Sequence, residues 1–107
     1  MKDLQTITLL FDFYGSLLTP RQQDLIRAYF LEDLSLAEIA GEGGVSRQAV
    51  HDLIKRSEAA LFEYEEKLGL VREHRERQTA LDRLEEAIRR QDYAEALNLL
   101  SKLRSEC

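Results

Sequence analysis

The chain has 107 residues, 44% of them apolar and 33% charged, which makes one domain-sized body with a single core and no room for an enclosed cofactor cavity. Fifteen Lys and Arg against twenty Asp and Glu give a net charge of -5, which argues against tight sequence-independent duplex binding. The apolar fraction excludes a disordered chain, no apolar run approaches the roughly 18 residues of a membrane span, and Met1-Lys2-Asp3-Leu4 lacks the basic flank of a signal peptide, so a cytoplasmic location is expected.

One proline and five glycines punctuate a sequence rich in Leu, Ala, Glu, Arg and Gln, so the expected fold class is all-α. Leu4, Ile7, Leu10, Phe11 and Tyr14 form a helical stripe that Gly15-Ser16 closes, placing a first helix near 3–14. Thr19-Pro20 starts a second, near 20–31, because Thr can accept from a first-turn amide and Pro loses nothing at the first helical position. Its buried face is Leu25, Ile26, Tyr29 and Phe30. Ser35-Leu36-Ala37-Glu38 is a capping box for a short third helix near 36–41, which Gly41-Glu42-Gly43-Gly44 ends as a turn. Ser46 caps a long fourth helix, 46–68, whose stripe is Val50, Leu53, Ile54, Ser57, Leu61, Tyr64 and Leu68, with Gly69 as its stop. Two more helices follow near 70–91 and 93–104, the second capped by Asp92. Leu81, Leu84 and Ile88, then Tyr93, Ala96, Leu97, Leu100 and Leu103, are their expected buried faces.

Residues 35–56 have the spacing of a helix-turn-helix. Ala40 is small where two backbones must approach, glycine supplies the turn, Val45 fills the angle between helices, and Ile39, Val50 and Ile54 complete a small core. With those residues inward, 100° per residue turns Gln48, Asp52 and Lys55 outward and sets Arg47, His51 and Arg56 on the shoulders. Arg47 and Gln48 are residue types that read guanine and adenine edges; Lys55 and Arg56 suit phosphates, and His51 a surface contact. These five residues are the candidate nucleic-acid face.

Leu10-Phe11-Asp12-Phe13-Tyr14-Gly15-Ser16-Leu17-Leu18-Thr19, Gln22-Gln23, Tyr29, Leu31-Glu32-Asp33, Ser35 to Ala40, Val45 to Val50 and Glu63 to Leu68 together resemble the YlxM family, small bacterial proteins similar to region 4 of sigma factors. The resemblance implies a sigma-region-4-like bundle with a long recognition helix. It also implies an accessory or regulatory part in the signal recognition particle pathway, through that particle's RNA or protein component. Members of that family carry a bulky apolar residue in the turn where this chain has Glu42-Gly43-Gly44, which implies a looser hold on the third helix.

No catalytic constellation emerges. The Gly41–Gly44 run lacks the Gly-Lys-Ser/Thr ending and preceding strand of a phosphate loop. His51 and His74 stand on different helices with His74 expected in solvent, and the single cysteine, Cys107, is an exposed terminal thiol. Glu65-Glu66 and Glu85-Glu86 point apart and read as solvated faces, while Phe11, Phe13, Tyr14, Tyr29 and Phe30 read as core. The chain is therefore expected to be non-enzymatic, with no cofactor and no metal. Residues 1–68 are expected to form the helix-turn-helix domain, with 69–107 as a helical extension packed on the same core or on a partner chain.

Charge opposes a simple duplex binder. Residues 20–68 carry six basic and ten acidic side chains, a balance of -4, and residues 69–107 carry eight of each. A DNA-binding transcriptional regulator and a protein adaptor that has lost nucleic-acid binding stand as alternative functions. A homodimer is expected, because Leu61, Tyr64 and Leu68 extend beyond the helix-turn-helix core.

Overall fold

A computed structural model describes residues 4–105, and among the described residues all regular structure is helical. Six α-helices follow in order: α1 (Leu4–Tyr14), α2 (Pro20–Ile26), α3 (Leu36–Gly43), α4 (Arg47–Leu68), α5 (Leu70–Arg89) and α6 (Tyr93–Ser105). Asp3, the expected start of the first helix, and Cys107 lie outside the described residues. The chain divides into two compact units, Met1–Val71 and Arg72–Cys107.

In the first unit the helix starts follow from local chemistry. Thr19 Oγ1 accepts from the Gln22 amide at 3.2 Å while Gln22 Oε1 accepts from the Thr19 amide at 3.0 Å, and Pro20 occupies the first helical position. Ser35 and Glu38 repeat the reciprocal arrangement at 3.1 Å each. Each such cap contributes about 1 kcal/mol. The helix expected over 20–31 has that extent, but its end, Arg27–Leu31, is a wider π-turn in which the Glu32 amide donates to the Arg27 carbonyl at 2.8 Å. Asp33, at φ 57°, then turns the chain out of the helix in a left-handed conformation that Asp tolerates better than most residues.

Two apolar clusters fill this unit. Leu25, Ile39, Ala40, Val50 and Ile54 join α2, α3 and α4 into the expected helix-turn-helix core. Ile7, Leu10, Tyr14, Leu18, Ile26, Leu61 and Val71 form a second cluster against α1. Full burial of each large side chain there stabilises by about 1.5–3 kcal/mol. Leu61 is completely buried, so α1 covers the middle of the α4 stripe and no outside partner is needed for it. Leu68, 52% exposed, lies beyond that cover, as does Leu4 at the start of α1.

The second cluster closes on a polar centre. The fully buried Tyr14 hydroxyl donates to Glu65 Oε1 at 2.7 Å and accepts from the Leu70 amide at 2.9 Å, while the same Glu65 oxygen accepts from the Val71 amide at 2.9 Å. Gly69, at φ 64°, ends α4 in a left-handed conformation, and the Leu70 and Val71 amides are first-turn donors of α5 with no partner inside it. Glu65 is thus half-buried and structural; the expectation of a solvated face fails because α5 begins just beneath it. Burial, reinforced by the Glu65 carboxylate, raises the Tyr14 hydroxyl above its ordinary pKa.

In the second unit, Asp92 Oδ1 accepts from the Glu95 amide at 3.2 Å and starts α6 as expected, after Gln91 at φ 61°. Ala87, Ala96 and Leu99 are its buried apolar residues, with Ala80, Leu84, Leu100 and Leu103 half-buried. Leu81, Ile88, Tyr93 and Leu97 were expected in the core but are 41%, 53%, 61% and 64% exposed. Burial in this unit falls on Ala87 and Ala96 beside the α5–α6 connection and on Leu99, and the larger neighbouring stripe lies outside.

Tyr14→Phe removes the hydroxyl from both α4 and α5 and should cost about 1–3 kcal/mol in denaturant unfolding, at an unchanged m-value. Because the folded state raises this hydroxyl's pKa, its stabilising bonds are fully present below the unfolded tyrosine value of ~10 and are lost as pH rises through the higher folded value. Thermal unfolding followed from pH 8 upward should therefore show Tyr14-dependent loss only beyond ~10, and Tyr14→Phe should remove that part of the decline. Gly41→Ala should stabilise by about 0.5–1 kcal/mol, since the position is helical and an added Cβ meets nothing within 4 Å.

Candidate nucleic-acid interface

The site is built on the connection between α3 and α4. Gly41, Glu42 and Gly43 continue α3 instead of forming the expected turn, and reversal is concentrated in Gly44 at φ 65°. Helix persists through two glycines because the capping box and the buried Ile39 and Ala40 anchor α3 upstream, leaving Gly44 alone to adopt a conformation that needs no Cβ. The Val45 amide returns to the Ala40 carbonyl at 3.2 Å, and Ser46 Oγ accepts from the Ala49 amide at 3.1 Å, starting α4. Val45 remains 38% exposed, so it only edges the angle it was expected to fill; Leu25, Ile39 and Val50 do the filling.

Val50, Ile54 and Ser57 face inward, with the Ser57 hydroxyl donating to the Leu53 carbonyl at 2.8 Å. Arg47, Gln48, His51, Lys55 and Arg56 are all exposed, on the first three turns of α4. Arg47, Gln48 and His51 line an open concavity of about 350 Å³ with Leu36 of α3. Lys55 and Arg56 lie further along, about 12 Å from Arg47 at 1.5 Å per residue.

Two acids outside the five-residue face shape this surface, Asp52, which helix geometry already turned outward, and Glu58, which sequence reasoning did not place there. Asp52 Oδ1 accepts from Gln48 Nε2 at 2.9 Å and lies 3.6 Å from His51 Nδ1, so three of the outward side chains form one cluster. Four-residue spacing of Gln48 and Asp52 on one helix was the available signal. Glu58, only 5% exposed, lies 3.9 Å from Lys55 Nζ and draws that ammonium toward the helix flank. Arg47, Lys55 and Arg56 against Asp52 leave the exposed face locally cationic within an acidic unit.

His74 is half-buried, not solvated as expected. Tyr14 is core, Phe11 is half-buried beneath the Arg27 guanidinium at 5.4 Å, Tyr29 and Phe30 meet edge to face at 5.0 Å, and Phe13 stays 37% exposed. Among the described residues no three His, Cys, Asp or Glu side chains gather as a metal-holding group, and no helix is long and apolar enough to cross a membrane.

Comparison with known proteins places these features in a wider set. A family model described as "Putative helix-turn-helix protein, YlxM / p13 like" matches residues 1–102. The chain is 65% identical over 106 residues to a UPF0122 protein of Symbiobacterium thermophilum, covering 99% of both chains. A UPF0122 protein of Desulforamulus reducens is 62% identical over 71 residues, 66% of this chain and 61% of that one. Another, from Halalkalibacterium halodurans, is 53% identical over 91 residues, 85% and 84% of the two chains.

Proposed function

We propose, for a chain that belongs to the UPF0122 family of YlxM/p13-like helix-turn-helix proteins, that it binds nucleic acid through the amino-terminal half of α4 and acts without catalysis. The observation that carries this reading is the exposure of Arg47, Gln48, His51, Lys55 and Arg56 on one helix start, none of them belonging to either apolar cluster. Residues that could read base edges stand at the helix start and cations follow, the order in which a recognition helix meets base edges and backbone.

The finer reading takes its support from the YlxM resemblance: an accessory or regulatory part in the signal recognition particle pathway, in the cytoplasm, with the particle's RNA as the nucleic acid. Weak net attraction to a duplex favours a structured RNA over bulk DNA, because arginine recognises local phosphate geometry bidentately while an overall acidic chain is repelled from uniform duplex charge. A protein contact is the second reading, favoured by the -4 balance of residues 20–68.

The test measures binding of the full chain to the particle RNA, to a mixed duplex DNA pool and to the particle protein. Arg47→Ala with Lys55→Ala should weaken RNA binding and lower the slope of log affinity against log salt by about 1 for each phosphate no longer neutralised. The double variant should stay folded, losing about 1 kcal/mol at most with the Lys55–Glu58 pair, since Arg47 and Lys55 are themselves exposed. Equal RNA binding by the double variant would remove α4 as the interface, and binding only to the protein component would establish the second reading.

A further inference from the structure

The second unit leaves one face of a helical hairpin uncovered, and its chemistry defines what fits there. Thr79, Ala80 and Arg83 of α5 line one groove with Leu99, Lys102 and Leu103 of α6, which fixes the two helices as antiparallel neighbours. Ala87 and Ala96 are buried in this unit. At 100° per residue, Leu81, Leu84 and Ile88 lie to one rotational side of Ala87, and Tyr93, Leu97 and Leu100 lie to the same rotational side of Ala96. Equal rotation on antiparallel helices puts both stripes on one face, opposite the groove with the charged Glu76, Arg83 and Lys102.

Spacing, size and area point to the same occupant. Steps of three and four residues, 81-84-88 and 93-97-100, are those of a helix-bundle seam. Arg72–Cys107 is a unit of 36 residues, below the roughly 40 that stand alone without a disulfide, metal or partner chain. Leu81, Ile88, Tyr93 and Leu97 expose roughly 400 Å² of largely apolar surface, within the range of the largest patch on a typical monomer and usually functional. Two such faces supply roughly 800 Å² of largely apolar surface, about the 65% apolar share of a 1,200 Å² interface, the lower end of the standard range.

Charge selects the orientation. Among the described residues the open end of the hairpin carries Arg72, Arg75, Arg77, Lys102 and Arg104 against Glu73 and Glu76, a balance of 5 minus 2, or +3. Its closed end carries Glu85, Glu86, Asp92 and Glu95 against Arg89 and Arg90, 2 minus 4, or -2. We infer that the α5–α6 hairpin is a homodimerisation module: its Leu81–Ile88 and Tyr93–Leu100 face packs on the same face of a second copy, antiparallel about a two-fold axis, forming a four-helix bundle in which each basic open end meets the partner's acidic closed end. This inference does not depend on nucleic-acid binding.

Sedimentation equilibrium of the full chain at micromolar concentration should give twice the 12.4 kDa chain mass. Leu97→Glu should weaken association at least about tenfold, an outcome of 1.4 kcal/mol or more, with helical circular dichroism retained because the side chain is 64% exposed. Ile88→Lys should do the same from the other helix. Added salt should weaken the dimer, since opposite charges meet at both ends. A wild-type monomer overturns the inference, as does a dimer that survives both substitutions. A dimer lost on both substitutions yet indifferent to salt overturns the antiparallel arrangement.

Discussion

One buried phenol and one carboxylate tie the first unit together. Tyr14 reaches from the end of α1 to Glu65 near the end of α4, and both oxygens receive amides from the start of α5. Helix starts have amides that helical geometry cannot satisfy. In α2, α3, α4 and α6 the residue immediately upstream meets that need, whereas α5 is preceded by Gly69, which has no side chain to offer. The capping oxygen therefore comes from Glu65, four residues back along α4, and Tyr14 holds it in place. The left-handed break at Gly69 and the buried packing of Leu61 and Val71 against α1 are compatible because of this arrangement.

Much of the fold was legible because its signals are local. Thr19, Ser35, Ser46 and Asp92 each cap the helix expected of them, and Gly69 ends α4 where the pattern required. Periodicity located the helices but fixed the buried side less well. In the second unit the larger stripe of Leu81, Ile88, Tyr93 and Leu97 carried more apolar weight than the neighbouring alanines, yet Ala87 and Ala96 are the buried residues. Hydrophobicity ranks side chains by transfer free energy and does not register which rotational face of a helix its neighbour will cover. Glu65 was misread for a related reason: its partners are 51 residues upstream and in the next helix, beyond any spacing rule within α4.

The α4 face shows the same division. Its outward residues follow from 3.6-residue geometry once Val50, Ile54 and Ser57 are set inward. Glycine content suggested a four-residue turn between α3 and α4, but only Gly44 departs from right-handed conformation; helix continuation at Gly41 and Gly43 depends on anchoring that composition does not express. Family membership supports the helix-turn-helix reading across 102 residues, while the roles of individual side chains rest on geometry and charge.

The Gln48–Asp52 hydrogen bond fixes when conformational freedom is given up. A glutamine amide has two N–H donors and one carbonyl acceptor, and Asp52 engages one donor. One donor and the carbonyl lie outside that bond, groups of the kind that pair with base edges or a backbone peptide group. Rotamer freedom that a loose glutamine would surrender on contact, about 0.5–1.5 kcal/mol for a side chain of this type, is here surrendered when α4 forms. An aspartate that subtracts from the attraction of this surface for anions thus also makes one of its polar side chains ready before any ligand arrives.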